Sequence, residues 1–433
     1  QGNRRLKASS GGIPHPFFNS STMATGRLGL LFPAAAWLLG PAAVTRAAVL
    51  NRESLKDVDP LAVCVDGSPA AYYWKPSDTN SSLWIVDLQG GGWCDSEASC
   101  RKRCTVWGIK SPLCTSHLDL TRTVEHGLFH PKQDPAVLDA NLVFLPYCTS
   151  DGHMGDAEAL NGLQFRGARV VSALFAALTQ RHGLGGGPER NLLIFGGQSA
   201  GGRGAMVNLD YVPEMLGAKA ASVDVVGFLD SPLWMDMPPL NTSDFQFEGF
   251  NESCRRVYSY ANVTRLGTSC AAAHGGADRW KCIMGEYRMP HVRTPYLLVA
   301  SQFDSYQLSK NVGHKPASPP EFAYAERFAA QTRALVTSLR DAWPANAKRQ
   351  NAVISWACYS HATSLNPSGY DQQSCGRNGT TLDAAVQHFL ALAPASGAPK
   401  PLEWLDNCTG FACGAGCQQG LASAESRNPI FVI

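Results

Sequence analysis

The sequence is poor in charge and, after its first segment, poor in long apolar runs. Charged residues make up 17% of the 433 residues and hydrophobic ones 45%, so the chain can bury a sizeable core and is not globally disordered. No basic stripe follows residue 47, which excludes nucleic acid as a partner. No internal repeat is present. These absences leave one large globular domain or two medium ones.

One long apolar run lies near the N terminus. Met23 is the first methionine, Arg27 gives a positive charge, and residues 28–40 carry no charge. Small residues then lead up to Ala47, so we expect residues 23–47 to be a signal peptide that is cleaved after Ala47. A signal-anchor helix is the alternative, because the uncharged stretch approaches the length of a membrane span.

The predicted signal peptide divides the chain into three parts. Residues 1–22 precede its methionine and are expected to be a non-native leader, while residues 48–433 are expected to form one domain. The part after residue 47 loses five basic residues and no acid, which leaves 32 basic against 35 acidic residues and a net charge of −3. No stable membrane insertion is expected after cleavage.

Cysteines and glycosylation signals indicate an oxidising compartment. All 14 cysteines follow residue 47, which allows up to seven disulfides. Six N-x-S/T sequons follow residue 47, at Asn80, Asn241, Asn251, Asn262, Asn378 and Asn407. Cys94, Cys100, Cys104 and Cys114 are spaced closely enough for zinc, but disulfides are favoured in a secreted chain. We therefore predict a secreted, extracellular glycoprotein.

Short apolar strands alternate with helical segments. The predicted strands are 71–74, 83–88, 141–148, 192–195, 223–229, 296–300 and 353–357, and the predicted helices are 167–182, 205–209, 322–343 and 381–392. This alternation is typical of an α/β fold with a mostly parallel central sheet flanked by helices. Residues 236–290 contain no long periodic element and are predicted to be a cap-like insertion. Residues 394–433 form a cysteine-rich tail.

A candidate nucleophile lies between a predicted strand and a predicted helix. Residues 197–201 read Gly-Gln-Ser-Ala-Gly, a G-x-S-x-G pattern that can place the Ser199 hydroxyl on a sharp strand-to-helix turn. Glycine two residues before and after the serine suits this turn, because a Cβ there would collide with a neighbouring strand or helix. A glycine-rich turn that merely contains a serine is the alternative.

Two further side chains complete a hydrolytic triad. In α/β-hydrolases the triad residues follow the chain order Ser, Asp/Glu, His, which here gives Ser199, Asp304 and His361. Each follows a predicted strand, and strand ends converge at one edge of a parallel sheet. Asp230 is a reserve candidate for the acid, although it follows the serine closely.

The glycines after the first buried strand predict an oxyanion hole. Gly90-Gly91-Gly92-Trp93 can turn backbone N–H groups inward, and the predicted donors are Gly92, Trp93 and Ala200. A phosphate-binding turn is disfavoured because the Lys-Ser/Thr of such a loop is missing. The pattern predicts two-step acyl transfer through an acyl-enzyme that needs no metal and no cofactor.

Seven short motifs carry a resemblance to the pectin acetylesterase/Notum carboxylesterase family, over residues 60–392. They are Leu88–Cys94, Pro146–Cys148, Gly197–Gly202, Asn208–Asp210, Leu229–Ser231, Gln302–Asp304 and Ser360-His361. The resemblance implies an α/β-hydrolase fold and the same triad and oxyanion residues, and it leaves Asp230 in a supporting loop.

The family divides over its substrate. Plant and microbial members resemble deacetylases of pectin, while the Notum branch removes a palmitoleoyl group from secreted signalling proteins. Gln89 and Gln198 depart from the pectin pattern, where Glu and Cys are usual, and Gly204 and the residues before His361 are closer to Notum. O-Deacetylation of extracellular polysaccharide is our first expectation, with an acylated glycan as partner. A longer-chain protein deacylase and a catalytically silent binding protein are the alternatives.

Overall fold

The structure is a computed structural model. It describes residues 48–106, 109–129, 135–341, 349–376, 378–391 and 402–417. These residues belong to one unit that runs from Thr45 to Ile433. The predicted leader and signal peptide lie outside the described residues, as do the two ends of the cysteine-rich tail.

A ten-stranded sheet forms the centre of the described part of the chain. Its strands are β1 Ala48–Ser54, β2 Ala71–Lys75, β3 Leu83–Leu88, β4 Thr121–Val124, β5 Asn141–Leu145, β6 Asn191–Gln198, β7 Val223–Asp230, β8 Tyr296–Asp304, β9 Ala352–Ser360 and β10 Leu402–Leu405. Their spatial order is β10-β9-β8-β7-β6-β3-β5-β2-β1-β4. Neighbours from β10 to β5 pair in parallel, and β2, β1 and β4 continue the sheet antiparallel.

Helices pack on both faces of this sheet. They are α1 Glu97–Cys104, α2 Pro135–Leu138, α3 Gly167–Arg181, α4 Ala200–Asn208, α5 Val212–Leu216, α6 Phe250–Tyr260, α7 Thr268–Ala273, α8 Gly285–Arg288, α9 Ser305–Val312, α10 Pro319–Asp341, α11 Pro367–Asp371 and α12 Leu382–Ala391. Side chains of α3, α4 and α10 share one core cluster, and α12 contributes to a second. No helix in the described ranges is long and apolar enough to cross a membrane.

The β6 strand shows why its sequence is continuously apolar. Leu193 and Phe195 belong to one core cluster, whereas Ile194 belongs to the other. Successive side chains of a strand point to opposite faces, so a strand covered on both faces must be apolar throughout. The predicted α/β architecture with a mostly parallel sheet is confirmed.

The predicted elements differ from the structure mainly at their ends. The strand predicted at 141–148 ends at Leu145, directly before Pro146, which has no N–H for a ladder bond. The helix predicted at 205–209 instead begins at Ala200, immediately after Ser199. Three strands of the central sheet, β1, β4 and β10, were not predicted; β1 and β4 lie at its antiparallel end, and β10 closes the other edge.

Residues 236–290 contain more regular structure than the sequence indicated. The helix α6 has 11 residues and buries Phe250, Cys254 and Val257, a spacing of four and three residues that places them on one face. The expectation of no long regular element in this segment was therefore wrong. The apolar residues of α6 recur at helical spacing among polar ones, so the segment carried an amphipathic signal that the sequence interpretation missed.

Six disulfides join twelve of the fourteen cysteines. The pairs are Cys64–Cys148, Cys94–Cys100, Cys104–Cys114, Cys270–Cys282, Cys358–Cys417 and Cys408–Cys413. The other two, Cys254 and Cys375, are buried thiols. They belong to different core clusters, so the seventh disulfide that the even count allowed does not form.

Candidate active site

Ser199 lies on the sharp turn between β6 and α4. Its backbone angles are φ 56° and ψ −120°, in the positive-φ region that only glycine enters without strain. A Cβ on Gly197 or Gly201 would collide with the carbonyl oxygen of Leu88 in β3. The two glycines therefore allow β6 and α4 to approach β3 closely, and this approach presents the Ser199 hydroxyl at the sheet edge.

The imidazole of His361 lies between Ser199 and Asp304. Its Nε2 is 2.8 Å from the Ser199 Oγ, and its Nδ1 is 2.7 Å from the Asp304 Oδ2. In the tautomer that satisfies both neighbours, Nδ1–H donates to the carboxylate and Nε2 accepts from the hydroxyl. The other Asp304 oxygen accepts from the Gln307 N–H at 2.8 Å and so caps α9. The three predicted triad residues are thus brought together.

Asp230 occupies a different place from Asp304. Its carboxylate accepts hydrogen bonds from the Ser231 hydroxyl at 2.9 Å and from the Ser364 N–H at 2.8 Å. Because Ser364 follows His361 closely in the chain, Asp230 holds the loop that carries the imidazole. Burial raises the pKa of Asp230. The structure thus places Asp304, and not the reserve candidate, against the imidazole.

A buried acid lies beneath the nucleophile. Asp87, on β3, accepts a hydrogen bond from the Gln198 side-chain amide at 2.7 Å, and Gln198 directly precedes Ser199. Burial raises the pKa of Asp87 to about 8, and the nearby Asp230 carboxylate acts in the same direction. The Asp87 Oδ2 and Gln198 Oε1 atoms have no hydrogen-bond partner within the described ranges.

The predicted oxyanion loop lies against the nucleophile. A Cβ on Gly90 would lie 3.1 Å from the Ser199 Cβ, and one on Gly92 would lie 3.5 Å from the Tyr306 hydroxyl. Gly92 has φ +65°, which favours glycine. The structure gives the main-chain N–H groups of Gly92, Trp93 and Ala200 no hydrogen-bond partner among the described residues. Ala200 directly follows Ser199, and the loop that carries Gly92 and Trp93 begins at Gly90, which lies against it.

Aromatic side chains and one cation form the wall beside this loop. Trp93 contacts Trp234 edge-on, with ring centroids 4.1 Å apart, and the Tyr306 ring stacks on the His361 ring at 5.3 Å. The Arg203 guanidinium, one turn along α4, lies 3.4 Å from the Trp234 ring centroid and 5.2 Å from that of Trp93. Arg203 is 1% exposed, and its Nε and Nη2 have no partner in the described part of the chain. Burial lowers its pKa to about 10, so it remains charged at neutral pH.

Three potential metal ligands lie close together outside the triad. Cys270, His274 and His291 offer ligand atoms within 4.8 Å of one another. The Cys270 sulfur is bonded to Cys282, however, and the His291 Nδ1 is hydrogen-bonded to Ser269. This group therefore offers at most two imidazoles, fewer than the three protein ligands that zinc sites have.

Sequence reasoning missed three residues of the site: Arg103, Arg203 and Tyr306. Tyr306 follows Asp304 by two residues, and this closeness was a usable signal. Arg203 lies in the first turn of α4, where basic residues usually face solvent. Arg103 lies on α1, a helix without apolar periodicity, and its partners come from distant loops. No pattern in the sequence marks either arginine as buried.

A serine on a strained strand-to-helix turn, joined to an imidazole and a carboxylate at the edge of a parallel sheet, defines the class as an α/β-hydrolase. Comparison with known families makes this more specific. A sequence model described as pectinacetylesterase matches residues 46–417. The chain therefore belongs to the pectinacetylesterase family, a family of carboxylesterases.

Known relatives of the chain are named after the Notum branch of this family. The chain is 32% identical to the palmitoleoyl-protein carboxylesterase NOTUM of Schmidtea mediterranea over 281 residues, which are 62% of this chain and 52% of that protein. It is 28% identical to human NOTUM over 370 residues, 82% of this chain and 70% of the relative. The chain thus spans about half the length of the planarian protein.

A solved structure has the same fold. The Drosophila Wnt deacylase Notum superposes with a TM-score of 0.72 at 26% identity, covering 86% of this chain and all of that one. The predicted family and the α/β-hydrolase fold are thereby confirmed. The family name and the relatives' names point to different esters.

Proposed function

We propose that this protein is a serine carboxylesterase. His361 takes the proton of the Ser199 hydroxyl as the oxygen attacks an ester carbonyl, and Asp304 stabilises the imidazolium that forms. The negative oxygen of the tetrahedral intermediate is bound by the N–H groups of Gly92, Trp93 and Ala200. His361 then protonates the leaving alcohol and activates a water molecule, which releases the acid.

One observation carries this proposal. The Ser199 hydroxyl, the imidazole and the Asp304 carboxylate are linked by two hydrogen bonds of 2.8 and 2.7 Å. Ser199 and Asp304 are buried, and the His361 side chain is 6% exposed. These two hydrogen bonds already hold the imidazole in the tautomer that removes the hydroxyl proton.

Labelling with a serine-directed fluorophosphonate tests the proposal. We expect the protein to be labelled, and the Ser199→Ala variant to lose both labelling and up to about 10⁶-fold in kcat on p-nitrophenyl acetate. Ser338→Ala is the matched control, because its hydroxyl bonds only within α10, to the Leu335 carbonyl. A catalytically silent scaffold would not label. If Ser199→Ala hydrolyses the ester like the parent, the proposal is wrong.

For the substrate, we propose short acyl esters on an extracellular polysaccharide, as the family name suggests. The wall beside Ser199 supports a short acyl group. A long apolar chain gains about 0.8 kcal/mol for each methylene that it buries in an apolar environment. The charged Arg203 guanidinium lies behind the Trp93 and Trp234 rings and would reduce that gain for a chain that reached past these rings. An acetyl group is too short to need the space beside Arg203.

The second candidate is a longer-chain protein ester. The names of the relatives favour it, since they are palmitoleoyl-protein carboxylesterases. A series of acetyl, octanoyl and palmitoleoyl esters separates the two candidates. We expect kcat/KM to be highest for acetyl and to fall with length. A rise with chain length would instead favour the protein deacylase.

Secretion is part of the proposal. Twelve cysteines are paired in disulfides, which persist in oxidising compartments. Of the six sequon asparagines, five are exposed, and Asn251 is partly so. Expression in cultured animal cells, followed by glycosidase treatment of the medium, tests this: a secreted band should shift to lower mass.

A further inference from the structure

The helix α1 is held against the oxyanion loop by covalent links. Cys94, which follows the loop, is bonded to Cys100 within α1, and Cys104 at the end of α1 is bonded to Cys114. Only Cys100 and Arg103 of its eight residues are buried. Because α1 contributes no large apolar side chain to the core, the inward-facing group that it supplies is the Arg103 guanidinium.

Arg103 connects α1 to the loop through neutral partners. Its Nη2 donates to the Gly91 carbonyl, and its Nε donates to the Ser150 hydroxyl at 2.8 Å. The Ser150 hydroxyl in turn donates to the Leu113 carbonyl at 2.7 Å. Arg103 is 2% exposed and has no ion pair with any described carboxylate. A buried cation is costly, and its charge-assisted hydrogen bonds are correspondingly strong.

The hydrogen bond from Arg103 to the Gly91 carbonyl fixes the direction of the next N–H group. In a trans peptide the C=O and N–H bonds point in opposite directions. The Gly91 carbonyl faces Arg103, so the N–H of Gly92 faces away from it. The neighbouring Cys94 N–H is not available, because it donates to the Ser150 carbonyl at 3.0 Å.

The same peptide lies between the nucleophile and the base. Gly90, on one side, is packed against the Ser199 Cβ, and Gly92, on the other, is close to the Tyr306 hydroxyl. The Tyr306 ring stacks on the imidazole of His361. An N–H that projects from this peptide away from Arg103 therefore lies where charge develops during attack by Ser199.

We propose that Arg103 is a positioning residue, which orients the Gly91–Gly92 peptide so that the Gly92 N–H binds the oxyanion. The proposal rests on the serine-esterase function above and adds a residue to it. Arg103 itself does not touch the substrate. Its loss should therefore weaken binding of the transition state and leave binding of the ester ground state nearly unchanged.

The test compares Arg103→Met with a matched buried arginine. Arg288, on α8, is 0% exposed, and its Nη1 donates to the Leu266 carbonyl at 2.7 Å. We expect Arg103→Met to lower kcat on p-nitrophenyl acetate by about 10²-fold with little change in KM, since one oxyanion donor is lost. Affinity for a boronic acid that forms a tetrahedral adduct should fall in parallel. Arg288→Met should lower Tm and leave kcat near the parent value.

Further variants keep the outcome interpretable. Arg103→Lys retains a donor for the Gly91 carbonyl and should recover part of the lost kcat. If Arg103→Met does not fold, Ser150→Ala removes the Nε anchor, together with the bond to the Leu113 carbonyl, and leaves the Nη2 contact with Gly91 in place. A several-fold loss of kcat is then expected. Equal kcat losses in the Arg103→Met and Arg288→Met variants, or a Ser150→Ala variant with the parent kcat, would overturn the proposal.

A crystal structure of Arg103→Met separates this proposal from the esterase function. A rotated Gly91–Gly92 peptide is expected whether or not the protein hydrolyses esters. An unmoved peptide overturns the positioning role even if the parent is an active esterase. If the parent is neither labelled nor active, the esterase proposal fails, and the rotated peptide then shows an orienting contact without a catalytic use.

Discussion

The two sides of Ser199 differ in how their buried polar atoms are satisfied. On one side, both nitrogens of His361 and both carboxylate oxygens of Asp304 have partners at 2.7 to 2.8 Å. On the other side, Arg203 lies between two indole rings, with Nε and Nη2 unpartnered in the described ranges. The first side is organised for proton transfer. The second holds a buried cation behind aromatic rings, and we propose that this cation influences substrate choice.

Unpaired buried groups are expensive. Each costs about 1–3 kcal/mol relative to a satisfied one, and more when it is charged. The protein nevertheless keeps Arg203 one turn after the nucleophile on α4, and it keeps Gln198, which is bonded to Asp87, directly before the nucleophile. In the proposed mechanism the paired side carries out the reaction, and the groups with unpaired atoms are expected to influence substrate choice and pH dependence.

The largest expected effect breaks the paired side. In Asp304→Asn the amide can donate to Nδ1 and favours the wrong imidazole tautomer, so kcat should fall by about 10⁴-fold. Asp230→Asn is the control, since Asp230 bonds to Ser231 and Ser364 rather than to the imidazole. Steady-state kinetics on p-nitrophenyl acetate measures both. An equal loss in the two variants would return Asp230 to the triad.

A smaller effect is expected from the unpaired side. Arg203→Met replaces the cation with an apolar side chain, so the ratio of kcat/KM for octanoyl over acetyl ester should rise about tenfold, which two buried methylenes supply. Arg203→Lys keeps the charge and should keep the preference for acetyl.

The matched control is the more exposed Arg255, which lies 4.6 Å from the Trp280 ring centroid outside the site. Arg255→Met should leave the chain-length profile unchanged. If Arg203→Met folds and also keeps the parent profile, the wall does not select chain length.

The same contrast separates what the sequence predicts from what it does not. The paired residues follow strand ends, and each has a local signal: the glycines around Ser199, the chain order of the triad, and the strands before Asp304 and His361. Parallel pairing then brings these ends together without further information. This part of the site could be read from the sequence.

The unpaired side depends on contacts between distant segments. Arg203 is buried because Trp93 and Trp234, from two different loops, close over it. Its own neighbours in the sequence are glycine and alanine, which indicate only a helix. The antiparallel strands β1 and β4 were missed for a related reason, since their residues are mostly polar or partly exposed and carry no buried alternation.

The last expected effect concerns Asp87 and how it makes the free energy of unfolding depend on pH. The pKa of Asp87 is raised to about 8 in the folded protein, against about 3.9 when unfolded. Between these values the folded state holds a proton that the unfolded state has lost. The free energy of unfolding should therefore fall as pH rises from about 4 to about 8.

Asp87→Asn tests this because the amide cannot ionise and its oxygen can still accept from Gln198. The stabilisation is fully present in the parent below about pH 4 and lost through about pH 8, so the Tm of the variant relative to the parent should increase over that range. Asp78→Asn on the surface is the control, since Asp78 is 80% exposed. A constant Tm difference across pH would mean that Asp87 is already ionised in the folded protein and that its unpaired oxygen has a partner such as a buried water.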